Sequence, residues 1–103
     1  GSAVFLNQGG DFNYQPSVTF TGEYYHWLAT GDVNGDGYDD ICFGQRDQGR
    51  YDVYYGGSSG PDTTVDVTFA GAGTTRQPMI DDFDGDGYMD IALGIISGGK
   101  IPL

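Results

Sequence analysis

Asp32-Val33-Asn34-Gly35-Asp36-Gly37-Tyr38-Asp39-Asp40 and Asp82-Phe83-Asp84-Gly85-Asp86-Gly87-Tyr88-Met89-Asp90 are two versions of one nine-residue stretch. Each carries oxygen-bearing side chains at positions 1, 3, 5 and 9, with glycine at position 6. A hard cation such as Ca²⁺ takes six to eight oxygen ligands at short range, and this pattern supplies them. The expected ligands are the side chains of Asp32, Asn34, Asp36 and Asp40 with the Tyr38 carbonyl. In the second copy they are Asp82, Asp84, Asp86 and Asp90 with the Tyr88 carbonyl. Gly37 and Gly87 permit the tight turn that brings position 7 back over the ion. Asp, Asn and Gly are also ordinary turn residues. A turn alone does not account for two matched copies crowded with carboxylates that repel one another unless a cation compensates. The expectation is two Ca²⁺ per chain.

A helix–loop–helix calcium site requires a Glu at position 12 and flanking amphipathic helices. Here position 12 is Phe43 or Leu93, and the loops run into Ile41-Cys42-Phe43-Gly44 and Ile91-Ala92-Leu93-Gly94. Short apolar runs stopped by glycine read as buried strands. The ion is therefore expected in a connection between strands.

Composition agrees with an all-β chain. Of 103 residues 19 are glycine, eight are tyrosine and six phenylalanine, and good helix formers are scarce. The net charge is −11, and nine of the fifteen acids lie in or beside the two loops. Two bound Ca²⁺ would bring the charge to −7. That acidity argues against nucleic acid or an anionic membrane as partner. No apolar run is long enough to span a bilayer. Gly1-Ser2 reads as a cloning remnant, and the expected location is extracellular, with the secretion signal absent from this polypeptide. The single cysteine, Cys42, has no disulfide partner in the chain and reads as a small buried hydrophobe.

The repeat extends beyond the loops. Gly31–Gly44 aligns with Asp81–Gly94 at an offset of 50, while Val18-Thr19-Phe20 aligns with Val67-Thr68-Phe69 at 49. Val4-Phe5-Leu6 aligns with Val53-Tyr54-Tyr55, also at 49. A period near 50 with about four strands in each is the signature of propeller blades. Strands are predicted at about 3–7, 17–21, 25–30, 40–43, 50–55, 65–69, 77–80, 90–96 and 100–103. One complete four-stranded blade is expected over about 24–70. A second is split between 77–103 and, by alignment, residues 3–21 of a neighbouring chain. A bare blade edge is a template for pairing. The expected assembly is a homotrimer of six blades or a homotetramer of eight, closing a β-propeller by sharing the split blade.

The segments Gly31-Asp-Val-Asn-Gly-Asp-Gly-Tyr-Asp-Asp-Ile and Asp82-Phe-Asp-Gly-Asp-Gly-Tyr-Met-Asp-Ile resemble FG-GAP/VCBS repeats. These build the propeller of integrin α subunits, many secreted bacterial proteins and a group of fungal propeller lectins. The resemblance covers nearly the whole chain, and it implies Ca²⁺ in the hairpin between the first two strands of a blade. It departs after the loops, where Gly44-Gln45-Arg46 and Gly94-Ile95-Ile96 stand in place of the frequent Gly-Ala-Pro. The family members carry six to eight blades in one chain, against two here.

These features point to a calcium-stabilised propeller module with a binding role. A narrower expectation is a lectin, with Tyr24, Tyr25, His26 and Trp27 lining a glycan pocket between blades. Aromatics at those positions equally serve to pack one blade on the next. His26 is the only histidine, and no catalytic arrangement is visible outside the loops, so an enzyme is not expected. The alternative is an engineered or ancestral-like propeller fragment whose only role is self-assembly.

Overall fold

The alternating apolar residues around the first loop fold into a four-stranded antiparallel meander, and residues from both ends of the chain pack on its two faces. The computed structural model describes residues 2–12, 15–20, 25–45, 49–70 and 73–96. Among them are twelve strands and no helix. They are β1 Ser2–Val4, β2 Asn7–Gln8, β3 Asp11–Phe12, β4 Val18–Phe20, β5 Tyr25–Gly31, β6 Asp40–Gln45, β7 Arg50–Tyr54, β8 Val67–Ala70, β9 Thr74–Thr75, β10 Met79–Asp81, β11 Asp90–Ala92 and β12 Ile95–Ile96. The meander is β5-β6-β7-β8, and the other strands pair in twos: β1 with β4, β2 with β3, β10 with β11 and β9 with β12.

The internal repeat is preserved at the level of strand register. In β7–β8, Tyr51 faces Phe69, Asp52 faces Thr68 and Val53 faces Val67. In β1–β4, Ser2 faces Phe20, Ala3 faces Thr19 and Val4 faces Val18, each pair displaced by 49. The flanking bonds match too. Ser17 N donates to Val4 O at 2.8 Å, as Asp66 N does to Val53 O at 2.9 Å. Leu6 N donates to Ser17 Oγ, as Tyr55 N does to the Asp66 carboxylate. The pair β10–β11 repeats β5–β6 at an offset of 50, with Asp81 facing Asp90 where Gly31 faces Asp40.

Both faces of the meander are covered. On one, Phe43 and Tyr54 pack with Phe20 of β4, supported by Val4, Val18, Tyr25 and Ile41. Phe20 meets Tyr54 edge-on at 4.6 Å and Phe43 at 5.2 Å, geometries that aromatic quadrupoles favour. On the other face, Cys42, Tyr51 and Val53 pack with Ile80, Ile91 and Leu93 of the second repeat. Polar bonds stitch this second contact. The Tyr51 hydroxyl accepts from Arg76 N at 2.9 Å and faces the carbonyls of Arg76 and Gly94. Thr75 Oγ1 donates to Gln45 O at 2.8 Å, and Gln77 Nε2 to Leu28 O at 2.5 Å.

Several predicted strands are shorter than the pattern suggested. The strand expected at 3–7 stops at Val4, and Asn7–Gln8 instead pairs with Asp11–Phe12 around an Asn7 side chain that accepts from Gly10 N. The strand at 65–69 begins at Val67, because Asp66 spends its amide and carboxylate on Val53 and Tyr55. The strand at 77–80 is broken by buried Pro78, which has no N–H to donate to a ladder. Its counterpart Leu28 pairs normally with Phe43. The same break divides 90–96 into β11 and β12. The strand expected at 100–103 lies outside the described residues. In β7, Tyr51 and Val53 alternate with Asp52 and Tyr54 between two buried faces, since all four residues are buried.

Gly56, just beyond β7, accommodates a close backbone approach. A Cβ there would lie 2.0 Å from the carbonyl oxygen of Asp39. Gly56→Ala is expected to cost about 3 kcal/mol, the upper end for overpacking, because backbone cannot yield as a side chain does. At roughly 4–8 °C per kcal/mol, thermal melting will register the loss. Gly57→Ala, whose nearest contact is an ordinary 3.7 Å, should melt like the parent.

Candidate metal centre

Each acidic loop is closed by its own backbone amides bonding to its own side chains. Asp32 accepts three: Gly35 N at 2.9 Å and Asp36 N at 3.1 Å on Oδ1, and Gly37 N at 2.7 Å on Oδ2. Asp82 accepts the matching three at 2.9, 3.2 and 2.8 Å. Asn34 and Asp84 each accept from the amide two residues on. Asp36 takes Tyr38 N and Asp86 takes Tyr88 N, both at 3.0 Å. Asp40 and Asp90 close the loops by accepting Val33 N and Phe83 N. Six bonds in one loop thus have six counterparts in the other.

The chain reverses in each loop through two glycines. Gly35 and Gly37 have φ of 76° and 89°, and Gly85 and Gly87 have 74° and 90°. Left-handed backbone of this kind is open to glycine at little cost. The glycine at position 4 escaped the sequence reading, although Asn34-Gly35 and Asp84-Gly85 are both turn dipeptides.

In the second loop Asp82, Asp84, Asp86 and Asp90 each place one carboxylate oxygen so that all four lie within 4.8 Å of one another. Ligands on opposite sides of a Ca²⁺ are about 5 Å apart, so these oxygens fit around one such ion. In the first loop Asn34 replaces one carboxylate, and Asp40 is fully buried. The two Asp40 oxygens accept Val33 N and Gly56 N, both at 2.8 Å, which ties the loop to the segment after β7. A carboxylate has about four acceptor positions, so two bonds leave capacity for a cation. Tyr38 and Tyr88 expose their rings.

The loop electrostatics follow from these bonds. The Gly37 amide, with those of Asp36 and Gly35, holds the Asp32 carboxyl below the usual carboxylate range. Gly87 leads the same effect at Asp82. Asp84 moves the other way, mainly because of its hydrogen bond with Asp86. The two neighbouring carboxyls of the second loop thus shift in opposite directions.

The aromatic stretch does not form one surface. Tyr25 stacks on Phe43 at 4.5 Å, donates its hydroxyl to Asp52 at 2.7 Å and meets the Tyr54 hydroxyl at 2.8 Å. Burial, then the bonds to Tyr54 and Asp52, push its hydroxyl far above the tyrosine range. A register shift between Tyr25 and Trp27 sets Tyr25 opposite Gln45 and Trp27 opposite Gly44. Neighbouring residues of a strand point to opposite faces, so this bulge separates the two rings. His26 is exposed, and Tyr24 lies outside the described residues.

Sequence reasoning also missed a buried carboxylate. Asp52, 1 % exposed, accepts from Tyr25 and from Thr68 Oγ1 at 2.9 Å and pairs with Arg50 at 3.2 Å. Buried charge persists only where it is paired and hydrogen-bonded, and these partners meet that condition. The sequence places Asp52 in the strand at 50–55, and its partners Tyr25 and Thr68 come from β5 and β8. Cys42 is buried and free, and burial followed by the Asp52 charge pushes its thiol up to about 11.

Two outcomes are expected. In chelator, Asp32 and Asp82 bind protons less readily folded than unfolded. Their stabilisation is complete above the ordinary carboxylate value and is lost as pH falls through the lowered native value. The double variant Asp32→Asn/Asp82→Asn should therefore show a shallower fall of melting temperature across that acid range. Cys42 should react with iodoacetamide at pH 8 far more slowly in the native protein than after unfolding, since only the thiolate is the nucleophile.

No solved structure matches the chain. A family model described as FG-GAP-like repeat matches residues 32–93, which begin at the first position of one loop and end just beyond the other. That span holds both loops and six of the twelve strands, in the order loop, apolar strand, outer hairpin, loop. The family is one of β-propeller-type modules, consistent with the antiparallel sheets described above. With well over half its length matched, the chain belongs to the FG-GAP-like repeat family.

Proposed function

We propose that the chain is a calcium-stabilised β-propeller module with a binding rather than catalytic role. The observation that carries this reading is the convergence of the Asp82, Asp84, Asp86 and Asp90 oxygens within 4.8 Å, on a loop whose hydrogen bonds the first loop duplicates. Asp32, Asn34, Asp36 and Asp40 hold the first ion and Asp82, Asp84, Asp86 and Asp90 the second, with the Tyr38 and Tyr88 carbonyls completing each set. Bound Ca²⁺ supplies the positive charge that lets these carboxylates ionise together. The residues do the rest: they fix the hairpins β5–β6 and β10–β11 at the inner end of each blade.

We further propose that copies of the chain close a ring, six blades from three copies or eight from four. The strand pair β1–β4 has the register of the outer pair β7–β8, and β9–β12 supply the inner strands of a blade. Such a protein is suited to an extracellular, calcium-rich setting. For carbohydrate, Trp27 and His26 are the residues of interest. Tyr25 is committed to the core, so Trp27→Ala should remove any signal on a glycan array while preserving assembly.

Binding to the folded loops alone stabilises by about 2.7 kcal/mol for each site at a hundredfold excess over its Kd. EDTA should therefore lower the melting temperature markedly, and Asp36→Ala or Asp86→Ala should each remove part of the calcium response. Mg²⁺, which demands a smaller octahedral shell, should restore little. Melting indifferent to chelator would refute the calcium reading.

A further inference from the structure

We infer that the sheet face formed by Val53, Tyr55, Val67 and Phe69 is the docking surface for β1–β4 of a second copy, with Phe5 of that copy seated on Phe69. This rests on the propeller reading above and specifies which surfaces meet. A cavity of about 290 Å³ lies over this face and is bounded on its far side by Ile91 of β11.

The chain already contains the finished form of this contact. Val4, Leu6, Val18 and Phe20 are the counterparts of the four face residues at an offset of 49, and Ile41 is that of Ile91 at 50. In the finished contact Phe20 is 4 % exposed, closed by Tyr54 at 4.6 Å and 61°. Its counterpart Phe69 is 40 % exposed. The counterpart of Tyr54 is Phe5, which is 46 % exposed. The two halves of one aromatic contact are thus both exposed in the single chain. Two identical copies stacked head to tail bring them together.

The strand edges are complementary in the same way. β6 carries β7 on its far side, whereas its counterpart β11 pairs among the described strands only with β10. β7 has neighbours on both sides, whereas its counterpart β1 pairs only with β4 among them. Within the blade Ile41 faces Tyr54, Cys42 faces Val53 and Phe43 faces Asp52. Transferred to β11 and β1, this register sets Ile91 opposite Phe5, Ala92 opposite Val4 and Leu93 opposite Ala3 of the second copy. Ala3 stands where Asp52 does, so this contact buries no carboxylate at that position. The result is a heterologous interface, which repeats until a ring closes.

The test is a register-specific cross-link. In a Cys42→Ala background, one chain carries Ala92→Cys and another Val4→Cys. They are purified separately, mixed in Ca²⁺ and mildly oxidised. Directly opposed Cβ atoms approach disulfide range, so the mixture should yield a disulfide-linked species of twice the 11.0 kDa chain mass. Phe5→Cys in place of Val4→Cys points to the other face and should stay unlinked. Phe69→Asp, a change at a partly exposed position, should reduce the mass by light scattering to that of one chain while the calcium-dependent melting shift persists. A parent chain that remains a monomer overturns the proposal, and its melting response to EDTA then reports separately on the calcium reading. Association with no 4–92 link, or with a 5–92 link as strong, overturns the register.

Discussion

The structure depends on one carboxylate in each loop capturing three backbone amides. Asp32 and Asp82 gather N–H groups that would otherwise point outward from a tight reversal. That capture fixes where β5 gives way to β6 and β10 to β11, so the hairpin register follows from it. It also leaves the remaining carboxylates of the second loop converging on a common centre. Asp82 and Asp84 shift in opposite directions there, Asp82 down under the Gly87 amide and Asp84 up beside Asp86. The same few atoms thus set the turn and the convergence of the carboxylates.

From these hairpins the sheet grows outward by local steps. β5, β6, β7 and β8 each pair with the next strand in sequence, which leaves two large faces to cover. The chain covers one with aromatic residues from β4 and the other with aliphatic residues from β10 and β11. The first also contains the Asp52 cluster, in which the Tyr25 hydroxyl bonds to the Asp52 carboxylate and to the Tyr54 hydroxyl. The second is sealed by the reach of Tyr51 to Arg76 and Gly94.

Much of this was legible in the sequence because it is written twice. The loops, their turn glycines at position 6 and the offsets of 49 and 50 all reappear in the strand registers. What escaped was whatever depends on a neighbour. Asp52 reads only as a residue of the strand at 50–55, and its partners Tyr25 and Thr68 come from other strands. Tyr25 and Trp27 read as partners until a one-residue bulge divides them. Asn7 reads as the end of a strand, but its side chain accepts from Gly10 N and Asn7–Gln8 starts a separate hairpin. Pro78 was visible, yet its effect, splitting one strand pair into two, required the equivalent position of Leu28 to be located.

The burial of β7 on both faces has a consequence for cooperativity. Tyr51 and Val53 belong to one interface and Tyr54 to the other, within a strand of five residues. A sheet of this kind has little apolar surface to hide within itself, so its stability resides in nearest-neighbour terms, as in linear repeat proteins. Loosening either flank exposes half of the central strand, and the weakened strand then holds the other flank less firmly. The element that melts as one is therefore the pair of facing sheets and the layer of side chains between them.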